Sequence, residues 1–179
     1  MTRRAVGVVG LVALLFVAVG CGSSASSNEQ TIAQSPSATE GSLRSHGFTK
    51  VSLRIRHADG STEVHCVWLA DSELERQQGL SEITDPLIAG GEAMVFSFEA
   101  DSDRTFWMED TLLPLSIAWI DAAGEFVGTA DMGLCPADTT NCPRFRAGRP
   151  YRLAIEMAQG RLQDWGIGPD ATVTLAEAC

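Results

Sequence analysis

A mainly β domain, built as a single β-sandwich or a barrel with two short helices, is what this sequence predicts. Three observations carry that expectation. Short segments alternate apolar and polar residues with a period of two, turn residues recur between them, and only two brief stretches read as helix. No internal repeat is evident.

The N-terminal segment stands apart from the fold. Arg3 and Arg4 precede the 16 uncharged residues Ala5 to Gly20, a run short for a bilayer span, so residues 1–20 read as a secretory signal peptide. Ala18-Val19-Gly20-Cys21 resembles the bacterial lipobox, with Ala18 where Leu is commoner. That makes Cys21 the expected lipid attachment site, and it implies an exported protein anchored to the cell membrane with its domain on the extracytoplasmic side. Residues 21–47 are rich in Ser and have little to bury, which is the composition of a flexible tether. Residues 48–179 then form one globular domain of ordinary size.

Removing the signal leaves 11 basic against 23 acidic residues, a net charge of −12. Nucleic acid and anionic lipid surfaces both call for basic patches, so neither is an expected partner. Membrane attachment should come from the lipid alone.

Within the domain, Val51-Ser52-Leu53-Arg54-Ile55-Arg56 alternates as a half-buried strand, and Asp59-Gly60 closes a hairpin. A two-residue turn there pairs Val51 with Trp68, Leu53 with Cys66 and Ile55 with Val64, all on one face, with Cys66 on the core side. The same register puts His57 and His65 on opposite faces. With His46 in or beside the tether, a histidine metal site then has little support, and solvated or capping histidines are the expectation.

Ser72-Glu73-Leu74-Glu75 is a capping box opening a helix that Gly79 stops. Strands follow at 94–98 and 105–110. A hairpin at 115–120 and 125–129 turns between Asp121 and Gly124, and a long loop spans 131–149. A strand at 152–157, a short helix at 161–165 closed by Gly166, and a strand at 172–175 complete the chain.

Four cysteines remain after Cys21. Outside the cytoplasm they should oxidise, and four allow three pairings. The turn-rich segment between Cys135 and Cys142 lets its ends meet, so that pair is the first choice and Cys66–Cys179 follows by elimination. A soft metal site of Cys135, Cys142 and Met132 is the alternative, but it lacks a nearby fourth ligand. No metal and no cofactor is expected.

Several blocks together resemble the domain-of-unknown-function 192 family. They are Glu75-Arg76-Gln77-Gln78-Gly79-Leu80, Ala93-Met94-Val95-Phe96-Ser97-Phe98, Phe106-Trp107-Met108 with Thr111 and Pro114-Leu115, and Ile120-Asp121 with Gly124. The likeness continues through Tyr151 to Glu156, Gly160 and Trp165-Gly166-Ile167, so it runs from about Val64 to Leu175. The resemblance implies a small β-sandwich or jelly-roll-like domain, often behind a signal peptide, and carries no activity. The chain departs from the family at Glu109-Asp110, where Lys-Asn is common, at Ser116, where Asp is frequent, and at Pro169-Asp170, where Gly-Asp is usual.

Motifs for catalysis are missing. There is no G-x-S-x-G, no H-E-x-x-H and no phosphate-binding glycine loop, so no catalytic residue is assigned. Glu109, Asp110, Asp121 and Asp131 are the carboxylates that a glycosidase-like hydrolase of envelope material would have to draw on. A binding module reads more directly. If 105–111 is extended, Phe106, Met108 and Asp110 face one way and Thr105, Trp107, Glu109 and Thr111 the other. An indole among hydrogen-bonding groups suits a glycan or peptide platform, although most tryptophans are covered, here by the 131–149 loop or a neighbouring sheet. Trp107, Glu109, Thr111 and Asp131 are therefore the candidate binding residues. The expected role is a non-catalytic envelope binding or accessory module, with a glycan or an envelope protein as ligand. A purely structural docking domain is the further alternative.

Overall fold

The structure is a computed structural model that describes residues 43, 46–83, 88, 92–135 and 141–179. The signal peptide, Cys21 and most of the Ser-rich stretch lie outside the described residues. Among the described residues no helix is long and apolar enough to cross a membrane.

The elements in chain order are β1 (Thr49–Arg56), β2 (Thr62–Ala70), α1 (Glu73–Gln78), β3 (Met94–Ser102), β4 (Leu115–Ile120), β5 (Phe126–Met132), β6 (Tyr151–Ala158), a 3₁₀ turn (Leu162–Trp165) and β7 (Thr172–Ala178). The strands form one seven-stranded sheet, ordered β5-β4-β6-β3-β2-β1-β7. Every neighbouring pair is antiparallel except β2 with β3, whose parallel pairing requires the long crossover that carries α1.

The fold is mainly β with few helices, but one mixed sheet stands in place of two packed sheets or a closed barrel. The sheet rolls. Its two ends approach where Glu125 bridges Thr172 and the Val173 amide donates to the Gly124 carbonyl at 2.8 Å. Gly124 has φ of 83°, and a Cβ on it would lie 2.7 Å from the Val173 oxygen. Only glycine fits that junction.

Rolling gives the sheet two unlike faces. Leu53 and Ile55 of β1, Val67 of β2, Val95 of β3, Ile120 of β4 and Val173 of β7 gather in one inner core. Strands from both ends of the sheet order meet there, so the face closes on itself. The outer face carries Trp68, Met94, Phe96, Ile117 and Trp119, covered by residues between strands such as Leu80, Ile83 and Met108. Leu43 also packs there, inside the stretch read as tether. Because both faces are covered, β4 is buried at every position, the near-continuous apolar pattern of a central strand.

The β1–β2 register differs by one residue from the expectation. Val51 pairs with Val67, Leu53 with His65 and Ile55 with Glu63. The loop holds three residues, not two. The Gly60 amide donates to the His57 carbonyl at 3.0 Å, Gly60 takes φ of 84°, and the His57 amide reaches the Ser61 carbonyl at 2.9 Å. Asp59 reinforces the turn by accepting from the Ser61 amide at 2.8 Å. A type I turn followed by a left-handed glycine is the common three-residue hairpin.

Three corrections follow. Cys66 is exposed and not on the core side. Val64 is likewise exposed. His57 and His65 share a face, and the Glu63 carboxylate lies 3.7 Å from His57 Nε2 and 3.0 Å from His65 Nε2.

Two disulfides close the chain, Cys66–Cys179 and Cys135–Cys142. The first ties the end of β7, which pairs with β1, to β2 one strand further in. Both helical stretches form where their caps lie. Ser72 Oγ accepts from the Glu75 amide while Glu75 accepts from the Ser72 amide, and Gly166 ends the 3₁₀ turn in the left-handed conformation.

Candidate functional site

The most unusual side chain of the domain lies on its central strand. Along β6, Leu153, Ile155 and Met157 belong to the inner core, so Ala154 and Glu156 turn to the outer face. Glu156 is flanked by Met94 of β3 and Ile117 of β4, and only 5% of it is exposed. Burial pushes its carboxyl up to about 8, and no hydrogen bond from a described residue offsets that cost. A carboxyl placed in this way is protonated at neutral pH.

Glu156 lines a cleft between α1 and residues 104–111, with an empty volume of about 790 Å³, its open mouth included. Phe96, Phe98 and Phe106 supply apolar lining, while Arg76 and Gln78 line it from the helix. Each wall is positioned by local chemistry. Gly79 ends α1 with φ of 46°, and a Cβ there would meet the Phe96 ring at 3.2 Å. Phe106 exchanges backbone hydrogen bonds with Phe145 at 3.0 and 2.8 Å and sets its ring edge-on to Phe96 at 5.1 Å. Phe98 stands edge-on to Tyr151, whose hydroxyl donates to the Arg104 carbonyl at 3.0 Å.

The charged groups along the cleft are mostly engaged. Arg76 donates to the Ser97 carbonyl at 2.8 Å and to the Asp71 carbonyl, pairs with Glu73 at 3.5 Å, and lies over the Phe98 ring at 5.1 Å. Its Nε is buried without a partner among the described residues. Arg104 meets both Glu73 oxygens, at 2.7 and 2.8 Å, and this pairing holds the Glu73 carboxyl below its ordinary value.

The segment 105–110 is not a strand, contrary to expectation. It makes one isolated bridge at Phe106 and then turns at Glu109-Asp110. Asp110 takes φ of 53°, a conformation that Asp and Asn tolerate better than other side chains. The Asp110 carbonyl accepts from the Glu82 amide at 2.8 Å, and Thr111 bridges Ser81, joining the two walls. Alternation persists without a strand. Met108 is buried at 1% exposure, whereas Trp107 is 40% exposed, with the Arg144 guanidinium 4.1 Å above its ring. The 131–149 loop thus covers one side of the indole and leaves the rest open.

Trp107, Glu109 and Thr111 all line the Glu156 cleft. Asp131 does not. It lies on β5, opposite Ser116, whose hydroxyl donates to it and accepts from the Gly160 amide at 2.9 Å. Asp121 belongs to its own turn. Despite partial burial, Arg149 and the Glu125 and Ala123 amides hold its carboxyl below the usual range. Of the four carboxylates considered for a hydrolase, only Glu109 reaches the cleft. Among the described residues no group of three or more His, Cys, Asp or Glu side chains could hold a metal ion.

Residues 54–175 match the DUF192 family, described as Uncharacterized ACR, COG1430. The chain belongs to this family. No curated protein matches it. Its DUF192 domain is similar in fold to two solved structures. One, from Sinorhizobium meliloti 1021, is described as a "putative transcription regulator"; it is 22% identical, with a TM-score of 0.58, over 72% of this chain and 95% of that one. The other, from Novosphingobium aromaticivorans DSM 12444, is a protein of unknown function; it is 24% identical, with a TM-score of 0.58, over 70% of this chain and 84% of that one. At such identities the likeness concerns the fold alone.

Sequence reasoning found the rim of the DUF192 cleft and missed its base. The signal for Glu156 was present as the lone acid in Leu153-Ala154-Ile155-Glu156-Met157, an otherwise apolar strand.

Proposed function

We propose that this DUF192 protein is an exported, lipid-anchored binding module of the cell envelope whose ligand enters the cleft between Trp107 and Glu156. The signal-like residues 1–20, the lipobox-like Ala18 to Cys21 and the Ser-rich stretch after it support export and anchoring. The observation that carries the binding role is the carboxyl of Glu156, buried, unpartnered among the described residues and lining a cleft beside Phe96 and Phe106. A buried polar group without a partner costs stability, and a ligand that supplies the partner recovers it. The half-exposed indole of Trp107 adds a flat apolar surface at the mouth, suited to a sugar ring or a peptide side chain.

Catalysis is the second reading, and Glu156 is the one observation in its favour. A carboxyl protonated near neutrality can act as a general acid. The other acids on the cleft are Glu109 and Glu73, and Glu73 is held by Arg104, so binding remains the better account.

The test is a thermal-shift screen of the chain lacking its signal, with Cys21→Ser, against glycans, peptidoglycan fragments and peptides. A ligand should raise the melting temperature of this chain and not that of its Trp107→Ala variant. A ligand whose effect survives both Trp107→Ala and Glu156→Gln would move the binding site elsewhere. A hydrolytic product lost in Glu156→Gln would favour the enzyme. Mass measurement of the native protein checks lipidation of Cys21.

A further inference from the structure

We infer that the cleft selects a protonated amine, with the Glu156 carboxylate as its buried counter-ion and the neighbouring aromatic rings as its apolar walls. The inference rests on the cleft being the ligand site and concerns which chemistry it takes.

Three observations point to an ammonium and not to an anion or a neutral acceptor. First, among the described residues the Glu156 carboxyl on this cleft has neither a hydrogen-bond partner nor a paired cation. Arg76 Nε on the same cleft also lacks a partner among them, but that guanidinium is already paired with Glu73. Arg76 directs its terminal nitrogens to the Ser97 and Asp71 carbonyls and to Glu73, and Arg104 grips Glu73, so neither neutralises Glu156. Second, aromatic faces around the cleft already hold cations of the chain itself. Arg76 lies over Phe98 and Arg144 over Trp107, at 5.1 and 4.1 Å. Ring faces that attract guanidinium groups attract ammonium groups for the same electrostatic reason. Third, the charge balance favours a cation. With Glu156 ionised, the lining acids Glu73, Glu109 and Glu156 outnumber the lining bases Arg76 and Arg104, and the chain as a whole carries net negative charge.

Binding is then linked to a proton. The free carboxyl holds its proton at neutral pH, and an ammonium beside it favours the ionised form, so each binding event expels one proton into solution. Below pH 8 the affinity should weaken as the pH falls, approaching tenfold per pH unit. The other charged groups facing the cleft are Glu73 and Arg76 of α1 and Arg104 and Glu109 of the facing segment. A primary ammonium next to an apolar face occurs on amino sugars and on basic peptide side chains, and the test separates the two sources.

The experiment titrates the Cys21→Ser chain, lacking its signal, with four probes followed by NMR. They are Nα-acetyl-lysine amide, its Nε-acetylated form, the disaccharide of glucosamine and the disaccharide of N-acetylglucosamine. The expected result is that at least one amine probe shifts the Trp107 indole resonance, and that acetylation of that amine weakens binding at least tenfold. Glu156→Gln, shown by its melting curve to be folded, should produce the same loss. The lysine probe should tighten between pH 6 and pH 8 in the native chain and show no such trend in Glu156→Gln. The responding amine identifies the source.

Acetylated probes that bind as well as the amines would overturn the ammonium inference and leave the cleft reading standing. Amine binding that ignores both Trp107→Ala and Glu156→Gln would overturn the cleft reading itself. Silence from all four probes would overturn the ammonium inference, while the thermal-shift screen judges the cleft independently.

Discussion

The two faces of the one sheet solve the same problem in opposite ways. The inner face closes by rolling, so that β7 and β4 supply neighbours to the same core and hydrocarbon fills the space. The outer face is covered by irregular chain, from Leu80 and Met108 to Phe106 and Phe145. Regular strands can interdigitate without remainder, whereas a cover of loops leaves a cleft. A single strand, β6, serves both. Its Ile155 is core on one side and its Glu156 lines the cleft on the other. Stability and candidate function thus sit back to back on consecutive residues.

The comparison can be broken most strongly at the disulfides. Cys66–Cys179 clamps the rolled edge across a sequence separation of 113, and Cys135–Cys142 closes a separation of 7 in the outer cover. In the chain-entropy view, removing the first should cost about 5 kcal/mol and the second about 2 kcal/mol. Denaturant melts of the Cys66→Ser/Cys179→Ser and Cys135→Ser/Cys142→Ser pairs check this. Equal losses would mean that the rolled edge needs no clamp.

Ile155→Ala cuts the inner core where Ile155 is fully buried, and should cost about 3 to 4 kcal/mol by urea unfolding. A loss below about 1 kcal/mol would show that the inner face is loosely packed.

Glu156 should behave in the opposite sense. Its carboxyl is raised from 4.5 to about 8 in the folded state. Below 4.5 both folded and unfolded chains hold the proton, and between 4.5 and 8 only the folded chain does, so stability falls as pH rises through that window. By pH 7 the loss from this group is on the order of 3 kcal/mol relative to pH 4.5. Glu156→Gln should abolish it, which melting profiles from pH 4.5 to 8 of both chains would reveal. Parallel profiles would mean that the carboxyl finds a partner in solution.

Trp107→Ala should have the smallest effect, under about 1 kcal/mol, because the indole is half-exposed at a rim. A drop of several kcal/mol would place Trp107 in the outer core and remove it from the candidate site.

Much of the outline was legible in the residues themselves. The capping box at Ser72, the glycines after both helical stretches and the Asp121 to Gly124 turn act through atoms a few positions apart, so their sequence signals were sufficient. The alternation of Trp107 with Phe106 and Met108 survived even though the strand expected there did not form. What failed was reasoning that assumed one buried face. The hairpin register was matched to a single apolar side, yet Val67 and Trp68 are consecutive and both buried, because β2 packs on both faces. That one-residue difference moved Cys66 outward and brought His57 and His65 to the same carboxylate.

The sequence by itself determined where chain segments extend, turn and are capped, and which cysteines could meet, because those choices depend on short-range backbone chemistry. Only the tertiary structure decided that one sheet would roll instead of two sheets stacking, and that Glu156 would be buried at a cleft without a partner among the described residues. Burial is a property of what arrives from elsewhere in the chain, and here the residues surrounding Glu156 come from α1, β3 and the 104–111 segment.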